Sequence, residues 1–61
     1  MNETYFNTYI SDKYGHEIIL YVYDTYTVIE YENGNRKTFS GHDHYLAAID
    51  YCNNNGYLKI N

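Results

Sequence analysis

The sequence predicts a small α+β domain: an antiparallel β-meander of four to five strands, in the order ββββαβ, with one helix packed on one face. Three observations carry that expectation. Alternating runs rich in β-branched and aromatic residues fill most of positions 4 to 39, punctuated by Asp, Asn and Gly. One later stretch, "SGHDHYLAAIDYC" (40–52), spaces its apolar residues as a helix does. The chain has 61 residues, which makes residues 1–61 a single domain.

Taken in order, "TYFNTYI" (4–10) alternates, with Phe6, Thr8 and Ile10 facing one way and Tyr5, Asn7 and Tyr9 the other. In "SDKYG", Asp12 opens a turn and Gly15 supplies a positive φ, so a short hairpin loop is expected. "EIILYVY" (17–23) is the strongest strand signal, and "YTVIEY" (26–31) follows after a turn at Asp24-Thr25. Counting from a two-residue turn pairs Val22 with Thr27, Leu20 with Ile29, and Ile18 with Tyr31. Asn33-Gly34 reads as a second two-residue turn, returning residues 36 to 39 as a fourth strand. That count pairs Ile29 with Thr38, Val28 with Phe39 and Glu30 with Lys37.

Ser40 is placed to cap a helix, with Asp43 where a capping box would carry Glu or Gln. Tyr45, Ala48, Ile49 and Cys52 then form its apolar face. Gly56, after three asparagines, ends it in the left-handed conformation, and "YLKI" (57–60) forms a last short strand.

This register gives the sheet two apolar faces. One carries Ile18, Leu20, Val22, Thr27, Ile29 and Tyr31; the other carries Ile19, Tyr21, Tyr23, Tyr26, Val28 and Glu30, joined by Phe39. The aliphatic face suits Ala48 and Ile49, so the helix is expected there. The second face is then left as an exposed patch of the kind that marks interaction sites.

Conventional chemistry is sparse. His42 and His44 are two residues apart, which on a helix turns them about 200° from each other, where metal pairs need i,i+3 or i,i+4. Both are expected to be solvated, as is the third candidate, His16, which nothing in the sequence brings near them. Cys52, the only cysteine, lies on the apolar helix face near the end where the helix dipole disfavours a thiolate, so it reads as core. No disulfide can form within the chain. Catalytic carboxylate pairs need a cleft that so short a chain hardly builds. The expectation is a non-enzyme without metal or cofactor.

Net charge is −4, with Arg36-Lys37 the only adjacent cations, so direct nucleic-acid binding is not expected. No segment approaches the ~20 apolar residues of a membrane span, and the N-terminus shows no signal-peptide pattern. The chain reads as a complete cytoplasmic gene product, the host cytoplasm being meant if it is phage-encoded. Its Asn, Tyr and Ile content suits an AT-rich genome.

Ten tyrosines against two phenylalanines place much aromatic surface at half-buried positions. The expected function is therefore protein binding through a Tyr and carboxylate patch: Tyr21, Tyr23 and Tyr26, with Asp24, Glu30 and Glu32 beside them. Inhibitors of host nucleases, including anti-CRISPR and anti-restriction proteins, are often small and acidic; the chain resembles them in size and charge only, without a family motif. The first expectation is a phage or mobile-element inhibitor that occludes a host protein, a defence nuclease or nucleoprotein complex. The second is a structural or regulatory homodimer, since self-association is a common way for small domains to complete a core. A metal-binding protein using His42 and His44 comes third.

Overall fold

The structure is a computed structural model and describes residues 6–59. Its elements are β1 (Phe6–Ser11), β2 (Glu17–Val22), β3 (Tyr26–Tyr31), β4 (Arg36–Ser40), α1 (His44–Asn54) and β5 (Leu58–Lys59). They build one antiparallel sheet in the order β4-β3-β2-β1-β5, with the helix laid across one face. The expected α+β meander is thus the observed fold. Residues 4, 5 and 60, assigned above to strands, lie outside the described residues.

The β2–β3 hairpin has the register counted from its two-residue turn: Val22 opposite Thr27, Leu20 opposite Ile29, Ile18 opposite Tyr31. Ile18, Leu20 and Ile29 are buried together with Ile10 from β1 and Ala48 and Cys52 from α1. Tyr31, Phe39, Tyr45, Ile49, Tyr51 and Tyr57 close the edges of this cluster. Each fully buried aliphatic side chain contributes about 1.5–3 kcal/mol, so a handful of residues holds the domain together.

The β3–β4 register differs from expectation by one residue. Glu30 faces Arg36, Ile29 faces Lys37, Val28 faces Thr38 and Thr27 faces Phe39. The cause is the turn. The amide N–H of Tyr31 donates to the carbonyl of Asn35 at 2.8 Å, and that of Gly34 to the carbonyl of Tyr31 at 2.9 Å. Three residues, Glu32-Asn33-Gly34, therefore make the loop, with Gly34 at φ 92°. This is the hairpin in which a turn is followed by a left-handed residue and a bulge, which reads as a two-residue Asn-Gly turn if the extra residue is not counted. The β1–β2 loop repeats the pattern at Lys13-Tyr14-Gly15, with Asp12 and His16 paired across it. Shifting by one residue moves a side chain to the other face. Phe39 consequently joins the helix side, its ring 5.5 Å from that of Tyr51.

The helix begins later than expected. Ser40 ends β4 opposite Tyr26, and the N-cap is Asp43, whose carbonyl accepts the amide N–H of Ala47 at 2.8 Å but whose side chain makes no capping bond. The end of the helix is as read: Gly56 at φ 87° allows the N–H of Tyr57 to reach the carbonyl of Cys52 and that of Gly56 the carbonyl of Asn53. This paired closure reverses the chain and delivers β5 to the free edge of β1, with Leu58 opposite Ser11 and Lys59 opposite Ile10.

His44, expected to be free in solvent, is half-buried and engaged at both ring nitrogens. Its Nδ1 is 2.8 Å from Oγ1 of Thr27, and its Nε2 is 3.0 Å from the carbonyl oxygen of Asp24. A carbonyl only accepts, so Nε2 carries the proton, and in the neutral ring Thr27 donates to Nδ1. Thr27 is the buried polar residue among the described residues, at 0% exposure. The first residue of the helix thus satisfies a buried hydroxyl and ties down the β2–β3 turn together.

Thr27→Val retains shape but removes the hydroxyl, so each of Thr27→Val and His44→Ala should lower stability by about 1–2 kcal/mol. Their double variant should lose less than the sum, because both delete one interaction. Urea unfolding of the four proteins checks this; strict additivity would show that the two side chains act independently.

Candidate functional site

The face of the sheet opposite α1 is not covered by any element of the described chain. Strand alternation assigns its residues. Tyr21 lies between Asn7 and Val28, with Thr38 beyond; Ile19 lies between Tyr9 and Glu30, with Arg36 beyond. Tyr26 neighbours Ser40 at one end, while Ser11 stands between Glu17 and Leu58 at the other. Tyr9 and Leu58 are 51% and 67% exposed, high values for residues whose apolar bodies gain from burial.

Two shallow grooves mark this face. Near the β2–β3 turn, Tyr21, Tyr23, Tyr26, Val28 and Arg36 line about 350 Å³. The rings of Tyr23 and Tyr26 stack there, 4.5 Å apart and 20° from parallel, as a preformed aromatic platform. At the far end, Tyr9, Glu17, Ile19, Glu30 and Glu32 line about 280 Å³ beside Tyr31 and Gly34. Glu32 is held in place by accepting the amide N–H of Glu17 at 3.0 Å, and Glu30 lies 3.6 Å from the guanidinium of Arg36.

The three tyrosines singled out in the sequence therefore converge, and the carboxylates divide. Asp24 sits in the exposed turn at the aromatic end, whereas Glu30 and Glu32 belong to the second groove, Glu30 lying about 13 Å along β3 from Tyr26. Tyr9, Glu17, Arg36 and Leu58 were not singled out although they share the face. The signal was present for Tyr9: counting the Lys13-Tyr14-Gly15 loop as three residues pairs Tyr9 with Ile19 directly.

The histidines do not gather. His16 closes the β1–β2 loop, with Nδ1 3.1 Å from Oδ2 of Asp12, at the opposite end of the sheet from the turn that His44 holds. His42 is exposed ahead of the helix. Among the described residues no three His, Cys, Asp or Glu side chains are grouped to hold a metal ion, and both ring nitrogens of His44 are already engaged.

Titration follows the same division between core and surface. Burial pushes the Cys52 thiol up to about 11, as its place on the apolar helix face implies. Burial, followed by the hydrogen bond to Tyr51, raises Tyr31 to about 12. For Asp12, burial alone would raise the carboxyl, but the amide N–H groups of His16 and Tyr14 and the His16 ring outweigh it and bring it below 3.8. Among the described residues, no helix is long and apolar enough to cross a membrane.

Compared with protein-family models, with curated proteins and with solved structures, the chain has no match.

Because Cys52 and Tyr31 titrate higher in the folded protein than their ordinary 9.0 and 10.0, the folded state binds their protons more tightly. Their stabilisation is complete below about pH 9 and is lost as pH rises through about 11 and 12. Urea midpoints should therefore hold steady up to about pH 9 and fall between there and 12. Cys52→Ala should delay the onset of that fall. A midpoint unchanged through pH 11 would mean that neither group is buried in solution.

Proposed function

We propose that this chain is a non-enzymatic protein-binding module that acts by occupying a surface of a larger protein. One observation carries the reading: the sheet has two apolar faces and a helix for only one of them. What is left uncovered combines stacked tyrosines, Ile19, Val28 and a carboxylate-rimmed groove. Tyrosine suits such a face, because it buries large area with few rotatable bonds and keeps its hydroxyl hydrated. A flat sheet face with shallow grooves fits another protein's surface better than it encloses a small substrate.

The action proposed is occlusion, of the kind a phage or mobile-element inhibitor exerts on a host defence nuclease in the host cytoplasm. Small size and a net charge of −4 support that form of it, since nucleases present cationic surfaces to their substrates. Tyr21, Tyr23, Tyr26, Asp24, Glu30 and Glu32 are the proposed contact residues, together with Tyr9 and Ile19. A homodimer through the same face is the competing arrangement.

The test is a quantitative pull-down from source-organism lysate with wild type and with the Tyr21→Ala, Tyr23→Ala, Tyr26→Ala variant, after circular dichroism shows that the variant folds. The expected result is a protein retained by wild type and lost by the variant, whose purified activity falls when the chain is added in stoichiometric amount. Recovery of nothing but the chain itself would contradict the proposal.

A further inference from the structure

Resting on the reading of the uncovered face as a docking surface, we propose that its occupant is a lysine- and arginine-bearing protein surface and not a second copy of this chain. Among the described residues, three carboxylates and one guanidinium gather on the uncovered face. Glu17 and Glu30 project from the uncovered face by alternation, and Glu32 joins them around Ile19 and Tyr9. Arg36 is the one described cation on that face, and its guanidinium already lies beside Glu30. Lys37 points to the helix side, with its ammonium 5.5 Å from the ring centre of Phe39 and 5.0 Å from that of Tyr51. Lys13 sits over Tyr14 in the β1–β2 loop.

A symmetric dimer through this face would present the same carboxylates from both sides, and like charges brought together at an interface oppose association. A cationic partner meets two complementary features instead. Carboxylates rim the groove at one end, and at the other the rings of Tyr21, Tyr23 and Tyr26, whose faces attract ammonium and guanidinium groups, stand beside Val28 and the Glu30-paired Arg36. The aliphatic stems of Lys and Arg would lie on Ile19 and Val28 while their charged heads reach Glu17 and Glu30.

The test uses the full chain, ¹⁵N-labelled, titrated with an oligo-arginine peptide at physiological ionic strength. Chemical-shift changes should concentrate at Tyr9, Ile19, Tyr21, Val28 and Glu30. Glu17→Gln/Glu30→Gln should weaken binding about fivefold to tenfold, as two partly exposed ion pairs imply. Asp43→Asn/Asp50→Asn removes the same charge from the helix side and should change binding by less than about twofold. Equal weakening by both variants, or shifts spread over α1, would mean that the peptide senses net charge and would overturn the proposal; mapping on wild type decides this even if a variant unfolds. Absence of any shift at Ile19 and Val28 would overturn it as well. If the peptide fails while a folded protein partner is still lost on the tyrosine substitutions, the docking reading stands and only the cationic occupant falls. A dimer in sedimentation that Val28→Glu dissociates would make a second copy the occupant.

Discussion

One helix must serve a sheet with two apolar faces, and most of the structure follows from that shortage. In 61 residues there is material for a five-stranded sheet and a single eleven-residue helix. The helix goes to the side where Ile10, Ile18, Leu20 and Ile29 can be sealed by Ala48 and Cys52, because small residues let its backbone approach the aliphatic side chains closely. The opposite side is left half-buried, as at Ile19, Tyr21, Tyr26 and Val28, or exposed, as at Tyr9 and Leu58. Tyrosine populates those positions because it tolerates being half-wet, where leucine or phenylalanine would expose apolar surface without compensation. The uncovered face is thus a consequence of how the core is built, and both stem from the same alternation along β2 and β3.

The helix is held to the sheet by more than apolar contact. Thr27 is a polar residue at a core position, and its hydroxyl would be costly to bury unpaired. His44 satisfies it and at the same time donates its Nε2–H to the Asp24 carbonyl, so the start of α1 is positioned against the β2–β3 turn. At the other end, the Gly56 closure returns the chain to β1 and converts a four-stranded meander into a five-stranded sheet. These two anchors set the helix direction, and with it which sheet residues are covered.

Much of this was legible in the sequence where a turn could be counted. Asp24-Thr25 spaced β2 and β3 without ambiguity, and from there the two faces and the place of the helix followed by alternation. Counting failed at Glu32-Asn33-Gly34, because an Asn-Gly pair closes either a two-residue or a three-residue loop and the choice depends on backbone geometry that residue identity does not reveal. One residue of error sent Phe39 to the wrong face. Ser40 misled for a related reason: it is a good cap in isolation, but pairing with Tyr26 keeps it in the strand. The role of His44 was illegible, since its partners are 17 and 20 residues away and become neighbours only once the sheet has formed. Tyr21, Tyr23 and Tyr26 lie within one hairpin, so their shared place could be read from a single turn; placing Tyr9 and Glu17 needed the β1–β2 register as well.

Solvent access to methyl groups measures the asymmetry between the two faces most directly. In methyl-labelled protein exposed to a soluble gadolinium chelate, Ile19 and Val28 should relax strongly, while Ile10, Ile18, Leu20 and Ile29 should be nearly unaffected, independent of protein concentration. Equal protection of Ile19 and Ile18 at low concentration would mean that the chain covers both faces itself, and the open tyrosine face would not exist.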